Sequence, residues 1–526
     1  MKCCILAAGK GTRLGRWSDI THKALLPLGE KAILSRIIET FPNCTEFVIP
    51  LGSRGDLIRE YCAIAHRDTP IRFVEVDLFD GPGSGPGRSL WCAREFLNEP
   101  FLFTACDTLV SSPLPALTEN WIGTVEVEDV STWCSALAAP DGRISRLIYK
   151  EPAATKLAFT GIAFVRDTED FWAALAPASD AQLLQGELQV NNGLNGLIAR
   201  GLFARPVDWI DTGSADNYAA AQKRFGGSLS FDGKTTDLTY RIRDQIVKYF
   251  PNPTSARNRF TRGKAHPAAF AEVGELHGHF FSSRFYQGEL LSARQSYSAT
   301  AGFLRWISDT FWVNRTLPDQ TWHALLVSFY RTKTLTRLAE YCKRFGGEQE
   351  ELTINAERCK SVSALVEMIP NAFFKDGQPS TFHGDLHDDN ILCVADGFRL
   401  IDWREEFGGN LECGDRYYDL AKFLHTLELS VETMRSGEFE GKISGVIASV
   451  RHTEKPSARE AQRAFWDFVQ REGYDRTRIE LLDALIFINM APLYEQRMAQ
   501  YLYLVGRLGL NRALAGVAGS ELSEEG

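Results

Sequence analysis

Two hydrophobic periods alternate through the first part of the chain, and that alternation limits the fold more than any other feature of the sequence. Residues 3–8 form an apolar run that leads into glycine, and 2–8 reads as a strand. Residues 31–41 place Ile33, Ile37 and Ile38 at helical spacing. Residues 46–50 read as a second strand, 56–65 as a second helix and 71–76 as a third strand. A glycine-rich loop at 81–87 feeds a helix that runs to Leu97, and 101–105 reads as a fourth strand. This β-α-β-α rhythm predicts a mostly parallel sheet covered by helices. Such sheets take ligands at the carboxyl ends of their strands.

The rhythm breaks near Phe225-Gly226-Gly227-Ser228. Short strand-like pieces follow at 238–242, 245–250, 276–281 and 284–286, and from Ala293 the chain reads mainly helical around one polar region at 380–415. A chain of 526 residues accommodates about three folding units at roughly 100–200 residues each. The expected division is 1–225, 226–291 and 292–526, with a frayed tail from Ser520. The composition, 44% hydrophobic and 24% charged, is that of a globular protein and excludes a mostly disordered chain. A net charge of −9 argues against a general nucleic-acid coater, yet leaves room for local phosphate sites. The 11 cysteines form no C-x-x-C pair, which fits a reduced, cytoplasmic setting. The greasiest later stretch, 481–493, is interrupted by Asp483 and Asn489, so no membrane span is expected.

The first strand leads into Leu6-Ala7-Ala8-Gly9-Lys10-Gly11-Thr12-Arg13-Leu14. Gly9 and Gly11 let main-chain amides approach an anion, Thr12 can donate from its hydroxyl, and Arg13 offers a guanidinium fork for phosphate oxygens. Lys23 follows in Lys23-Ala24-Leu25-Leu26-Pro27-Leu28. The dinucleotide fingerprint fails because Leu14 stands where it needs glycine, and no Walker loop is present. The two blocks together resemble the nucleotidyltransferase family that includes sugar-phosphate nucleotidyltransferases and phosphocholine cytidylyltransferases. That family commonly has proline before the lysine; here it is His22. The resemblance implies catalytic roles for Arg13 and Lys23, and nucleotide contacts from Leu6, Ala7, Ala8, Gly9, Gly11, Thr12 and Arg13. It implies Mg²⁺ ligation by Asp107, which ends the strand Phe101-Leu102-Phe103-Thr104-Ala105-Cys106-Asp107, and by Asp211 in Trp209-Ile210-Asp211-Thr212-Gly213. Ser84 and Gly85 resemble the loop that meets the base. Asp129 and Trp133 are candidates for the acceptor pocket, with a structural tryptophan as the alternative.

A second block, Thr381-Phe382-His383-Gly384-Asp385-Leu386-His387-Asp388-Asp389-Asn390-Ile391-Leu392, is followed by Leu400-Ile401-Asp402-Trp403. Phosphoryl transfer to a hydroxyl needs a carboxylate beside the attacking oxygen and ligands for Mg²⁺. Asp385 suits the first role, Asn390 and Asp402 the second. The pattern resembles the aminoglycoside phosphotransferase and choline kinase family. That resemblance implies that His383 braces the loop and that Asp419 anchors it. It assigns ATP contacts to Lys248, with Glu272 or Glu275 as its partner, and to Gln287 and Glu289 near a hinge. The usual glycine-rich cover is reduced here to Gly233. Trp306, Phe311, Trp312, Trp466, Tyr494 and Tyr501 are candidates for an aromatic cage around a quaternary ammonium, although aromatic residues at helical spacing are more often core.

The implied fold class is α/β: a Rossmann-like, mostly parallel sheet in a nucleotidyltransferase domain, followed by a two-lobed protein-kinase-like α+β domain. The implied function is bifunctional. The later half uses ATP to phosphorylate a small hydroxyl compound, a choline-like alcohol or another polyol. The earlier half joins the product to a nucleotide with release of pyrophosphate. CTP is preferred over UTP and GTP, and the product is expected to serve surface glycan or lipid head-group synthesis. An anomeric sugar kinase feeding an NDP-sugar is the alternative; a nucleotidyltransferase with a non-catalytic kinase-like module is another. The partners expected are Mg²⁺, nucleotides and a small acceptor, with the oligomeric state open.

Overall fold

The computed structural model describes residues 1–177, 183–226 and 237–524; Gly227, Ser228 and Gly233 lie outside the described residues. The described chain divides into two compact units, Met1–Pro253 with Glu275–Ser282, and Thr254–Gly274 with Ser283–Gly526.

In the first unit the strands are β1 (Lys2–Leu6), β2 (Glu46–Leu51), β3 (Ile71–Glu75), β4 (Phe101–Ala105), β5 (Thr108–Val110), β6 (Asn120–Glu126), β7 (Cys134–Ala138), β8 (Ile144–Tyr149), β9 (Leu157–Val165), β10 (Leu202–Pro206), β11 (Trp209–Asp211), β12 (Leu238–Ile242) and β13 (Gln245–Tyr249). Helices α1 (Ile33–Thr40), α2 (Gly55–Ala65), α3 (Pro86–Ala93), α4 (Thr168–Leu175), α5 (Val190–Leu197) and α6 (Ala215–Phe225) join them. The main sheet runs β8-β7-β9-β4-β1-β2-β3, with β6 on β9 and β10 on β6. Its core, β4-β1-β2-β3, is parallel, as the β-α-β rhythm requires, and β9 turns the sheet antiparallel. Apolar residues buried on both faces of β1 explain its unbroken hydrophobic run: Cys3, Cys4 and Ile5 are all 0% exposed.

The β1/β4 register sets up the first site. Leu6 lies opposite Ala105, so the segments after both strands, Ala7 onward and Cys106 onward, leave the sheet at the same edge. A separate two-stranded ladder pairs Asp211 of β11 with Thr108 of β5. A residue distant in sequence thereby arrives next to Asp107.

The compact unit continues past the 225/226 boundary expected from the sequence. Leu238, Tyr240, Val247, Tyr249 and Phe280 lie in the same buried cluster as Leu25, Leu28 and Tyr61. The Tyr240 hydroxyl donates to the Leu25 carbonyl (2.6 Å) and the Tyr249 hydroxyl to the Ile20 carbonyl (2.6 Å). The single strand expected at 276–281 is instead two, β14 (Val273–His277) and β15 (Phe280–Arg284), because Gly278 turns the chain at φ +50°.

The second unit contains α7 (Pro253–Ala265), β16 (Glu289–Leu290), α8 (Tyr297–Thr310), α9 (Asp319–Leu326), α10 (Lys333–Phe345), β17 (Glu351–Ile354), β18 (Glu357–Lys360), β19 (Ile391–Val394), β20 (Gly397–Leu400), α11 (Arg416–Glu428), β21 (Phe439–Ser444), β22 (Ile447–His452), α12 (Pro456–Glu472), α13 (Arg476–Met490) and α14 (Gln496–Glu524). The expectation of a mainly helical region broken only at 380–415 misses one element. Hairpins β17/β18 and β21/β22 form a four-stranded sheet. Their strands are short and carry mixed polar residues, which hides the period-2 signal. The apolar stretch at 481–493 is mostly α13, whose Leu481, Leu482, Leu485 and Phe487 are buried. No helix of the described residues is long and apolar enough to cross a membrane. Helix α14 runs to Glu524, past the expected start of fraying at Ser520.

Candidate active sites

The first centre gathers at the carboxyl edge of the parallel strands. The Lys23 ammonium donates to Asp107 Oδ2 at 2.8 Å, and the Arg13 guanidinium lies 3.9 Å from the same oxygen. Lys23 is largely buried, whereas the Arg13 side chain is 71% exposed and free to reach a ligand. Gly213 sits between the carboxylates: a Cβ built on it would stand 3.0 Å from Asp107 Oδ2, 3.0 Å from Asp211 Oδ1 and 3.2 Å from an Arg13 nitrogen. The Gly213 amide donates to Asp211 Oδ1 (2.8 Å), and the Asn217 amide group donates to the other oxygen. Thr212 ties the two strands together by donating twice, from its amide and its hydroxyl, to the Asp107 carbonyl (both 3.0 Å).

The electrostatics follow from this crowding. Burial pushes the Asp107 carboxyl up, and the Lys23 charge and hydrogen bond, with Arg13, outweigh it and hold it below its ordinary value. Asp211 moves the other way: burial and the Asp107 charge raise it against the Gly213 and Asn217 hydrogen bonds. Two carboxylates facing one gap form the hard oxygen donor set that suits Mg²⁺, so these residues fit that ion.

The loop around them is shaped for close approach. No atom lies within 4 Å of a Cβ built on Gly9, while Gly11, at φ +70°, would meet the Lys23 side chain at 3.3 Å. Leu6 and Ala8 spend their carbonyls on the fold, accepting from Cys106 (3.3 Å) and Ser53 (3.0 Å), and Ala7 bridges to Leu51. Thr12 is exposed. His22 adopts φ −70°, the value proline would impose, and its Nδ1 accepts from the Ala24 amide at 3.1 Å. Burial, then the Lys23 charge, drives His22 down to about 3, so it caps this turn as a neutral ring.

Ser84 and Gly85 lead into α3, and Leu188 fixes this turn from both sides: the Ser84 carbonyl accepts from the Leu188 amide (2.7 Å), and the Leu188 carbonyl accepts from the Gly87 amide (2.9 Å). Gly85 has φ +113°, and a Cβ there would meet the Leu188 carbonyl at 2.7 Å. Asp129 closes a local turn with Ser131. Trp133 stands edge-on to Trp209 at 5.2 Å, and the two rings line a cavity of about 430 Å³ with Asp211, Asn217 and Arg224.

The second centre is the turn His383-Gly384-Asp385. Asp419, fully buried on α11, accepts from the His383 and Gly384 amides (both 2.7 Å) and from the Trp312 indole (3.2 Å). Burial pushes Asp419 up to about 6 against those three donors. His383 accepts at Nδ1 from the Asp385 amide (3.2 Å) and pairs through Nε2 with the Ile401 carbonyl (2.9 Å). Burial drives it down to about 3, so the ring is neutral and Nε2 carries the proton. The β19/β20 hairpin aligns Ile391 with Leu400, and the Ile401 amide donates to the Asn390 carbonyl (2.9 Å). Asn390 in turn donates from its side chain to the Asp385 carbonyl (2.9 Å). Asp402 is exposed and holds φ +58°, a left-handed conformation uncommon outside glycine. Asn390 and Asp402 supply oxygen donors that fit Mg²⁺.

Gln287 lines a cavity of about 510 Å³ with Tyr286, Glu272, Arg284, Val394 and Arg399. Glu289 is not among its lining residues; it pairs with Arg294 at 3.2 Å and aligns with Cys393 in the β16/β19 ladder. Lys248 belongs to the first compact unit, opposite Thr239 in β13. Glu275 pairs with Arg67 (2.6 Å), and Glu272 lies 4.0 Å from Arg284. Trp306, Phe311, Trp312 and Trp466 pack on four different aromatic neighbours, Phe398, Phe270, Phe468 and Phe465, rather than facing one another.

Sequence reasoning missed the basic residues around Asp385. Lys422 of α11 donates to Asp385 Oδ1 at 2.9 Å, with its side chain 11% exposed. Its only signal in the sequence is its place one helical turn after Asp419. Burial pushes Asp385 up; Lys422 first, then His387, outweighs it and holds the carboxyl well below the usual range. Lys333 and Arg404 stand over the ring of Phe329, at 4.1 Å and 5.2 Å from its centroid.

Residues 3–158 match the family model of the MobA-like NTP transferase domain, and residues 287–476 that of the phosphotransferase enzyme family. A protein of Methanococcus maripaludis named bifunctional protein GlmU is 26% identical over 238 residues, 43% of this chain and 54% of that protein. The low-salt glycan biosynthesis nucleotidyltransferase Agl11 of Haloferax volcanii is 26% identical over 242 residues, 42% of this chain and 65% of its own. A probable glucose-1-phosphate cytidylyltransferase of Bacillus subtilis is 38% identical over 63 residues, 12% of this chain and 25% of that one. The chain thus spans between a quarter and two thirds of the length of these relatives. Two separate regions of the chain are similar to an NTP transferase domain, in the N-terminal part, and to a phosphotransferase domain, in the C-terminal part.

Proposed function

We propose that the two centres work in sequence on one small molecule. In the phosphotransferase domain an acceptor hydroxyl oxygen bonds to the γ-phosphorus of ATP, the bond from that phosphorus to the β–γ bridging oxygen breaks, and ADP leaves. The hydroxyl proton passes toward the Asp385 carboxylate and on to solvent. Held ionised by Lys422, Asp385 orients the hydroxyl more than it abstracts strongly. Asn390 and Asp402 would hold Mg²⁺, which supplies charge neutralisation at the phosphates. Gln287 is the proposed nucleotide contact on this side; Glu289, tied to Arg294, offers only its main chain.

In the NTP transferase domain the new phosphomonoester oxygen bonds to the α-phosphorus of a nucleoside triphosphate, and pyrophosphate leaves. The nucleophile is already anionic, so positioning and charge neutralisation carry the step. Arg13 and Lys23 meet the phosphates from the side of the Gly9–Gly11 loop, and Asp107 with Asp211 would hold Mg²⁺. Ser84 and Gly85 contact the base, and the Trp133 cavity beside Asp211 takes the acceptor. The nucleotide is CTP, a choice favoured by the similarity to a cytidylyltransferase. The acceptor is a small alcohol or polyol, and the CDP-linked product feeds glycan or head-group assembly. Similarity to a glucose-1-phosphate enzyme favours one second reading, in which the acceptor is a sugar phosphorylated at its anomeric hydroxyl.

The observation that carries this proposal is a pair of separate carboxylate-and-cation clusters in one chain, Lys23–Asp107–Asp211 and Lys422–Asp385. Purified protein given ATP, CTP, Mg²⁺ and an acceptor panel should release pyrophosphate and form a nucleotide-linked product visible by mass spectrometry. Asp385→Asn should stop only phosphomonoester formation, and Asp107→Asn only nucleotidyl transfer. Equal loss of both steps in each folded variant sinks the division of labour.

A further inference from the structure

Resting on the kinase reading above, the surroundings of Asp385 say what kind of acceptor it meets. The Arg404 side chain begins against the catalytic turn: a Cβ on Gly384 would lie 2.6 Å from the Arg404 Cβ, and the Arg404 amide donates to the His383 carbonyl at 2.9 Å. The guanidinium then lies over Phe329, 5.2 Å from its centroid, with its buried Nε lacking any hydrogen-bond partner. Lys333 reaches the same ring, with its ammonium 4.1 Å from the centroid. A six-residue π-helix, Val327–Thr332, delivers Lys333 there by interrupting the α9–α10 phase. Among the described residues neither Lys333 nor the Arg404 guanidinium has a carboxylate partner. Burial first, then repulsion from Arg404 and Lys422, pushes the Lys333 ammonium well below its ordinary value, and Asp385 pulls it back up; Lys422 feels the same opposition between Asp385 and Arg404. Two lysines and an arginine therefore gather near one carboxylate in a half-buried setting, where screening by water is reduced.

Like charges that outnumber their single counterion raise the local potential and favour an anion. They also repel a quaternary ammonium. The ATP base side does not explain them, because none of Phe329, Lys333, Arg404 and Lys422 lines the cavity that contains Gln287. We propose that the kinase acceptor is an anionic hydroxyl compound, whose carboxylate or phosphate is received by Lys333 and Arg404 while its hydroxyl faces Asp385. The aromatic ring beside this cluster, Phe329, is already covered by the Lys333 and Arg404 cations.

The test uses the full chain and acceptors matched in size: glycerol, D-glycerate and glycerol 3-phosphate, glucose and glucuronate, with choline as the cationic member. ADP release and phosphomonoester formation are followed at saturating ATP and Mg²⁺. Anionic members should exceed their neutral counterparts in kcat/KM by about tenfold or more, and the better of glycerate and glycerol 3-phosphate tells carboxylate from phosphate. Lys333→Gln should raise the KM of the anionic acceptor about tenfold to a hundredfold without raising the KM of ATP, and Lys333→Arg should restore it. With a nonhydrolysable ATP analogue bound, D-glycerate and inorganic phosphate should bind wild type more tightly than Lys333→Gln. Best turnover of choline or the neutral members, or an effect of Lys333→Gln on ATP rather than on the acceptor, overturns the proposal. Failure of the kinase reading itself has a different signature: no acceptor yields a phosphomonoester, and ATP turnover is indifferent to Asp385→Asn.

Discussion

Removing Lys23 and Asp107 singly and together separates what this pair does for the fold from what it does for chemistry. The side chains are 16% and 12% exposed and 2.8 Å apart. Asp107→Asn leaves a largely buried ammonium without its carboxylate. Lys23→Met leaves Asp107 facing the like charge of Asp211, with only Arg13 at 3.9 Å to offset it. Breaking a buried pair from one side costs about 3–5 kcal/mol, because the remaining charge is desolvated and unpaired. In the double variant neither charge remains, and the bonds from Thr212 to the residue 107 carbonyl are untouched. Its cost should fall to about 1–2 kcal/mol, below either single loss rather than equal to their sum, which is the signature of coupling. At about 2–4 °C per kcal/mol for a unit of this size, the single variants should lower the first unit's calorimetric transition by roughly 6 °C or more, and the double variant by half that or less. Pyrophosphate release should be lost in all three, while Asp385-dependent ADP formation continues as an internal control. Additive stability losses would show that the pair contributes nothing as a pair. Wild-type nucleotidyl transfer in the double variant would refute its role at the phosphates.

Gly213→Ala places a methyl 3.0 Å from both carboxylates at a position that glycine does not need for its backbone, and should cut pyrophosphate release at least about tenfold with the thermal midpoint nearly unchanged. Unaltered release would mean that the gap is not where the phosphates or Mg²⁺ sit. Lys422→Met removes the first charge that holds Asp385 down, so the acid limb of kcat/KM for ADP formation should move to higher pH, measured as a pH–rate profile. An unmoved limb contradicts the pairing. Because Asp107 titrates below its unfolded value, its stabilisation is complete above the ordinary carboxylate range near about 3.9 and fades as pH falls through the lower folded value. Asp107→Asn should therefore narrow its stability gap to wild type on acidification; a constant gap down to the acid transition counts against it.

The parallel core of the first domain was legible because each strand is bounded by glycines or charges and each helix has a one-sided apolar face. The meeting of Asp107 and Asp211 was not legible from spacing, since it depends on a three-residue ladder between β5 and β11; only the resemblance pointed to it. The strands at 238–249 carry apolar alternation that says they cover something, but not which core, and Tyr240 and Tyr249 point their hydroxyls at Leu25 and Ile20. The bracing role of His383 came from the resemblance, and the structure gives its physical basis in the bonds to the Asp385 amide and the Ile401 carbonyl. Lys422, Lys333 and Arg404 escaped notice because each sits in ordinary helical or loop sequence. Only the fold shows that Lys422 reaches Asp385 and that Lys333 and Arg404 share the Phe329 ring.

Phosphorus bookkeeping tests the coupled reaction most directly. With ATP labelled at the γ-phosphorus, unlabelled CTP and an accepted alcohol, the kinase step puts the label on the acceptor, and nucleotidyl transfer then joins that same phosphorus to CMP. Mass spectrometry or phosphorus NMR of the nucleotide-linked product should find the label in the phosphate next to the acceptor and none in the phosphate next to cytidine. A product with no label, or a label recovered only in pyrophosphate, would show that one domain does not consume what the other makes.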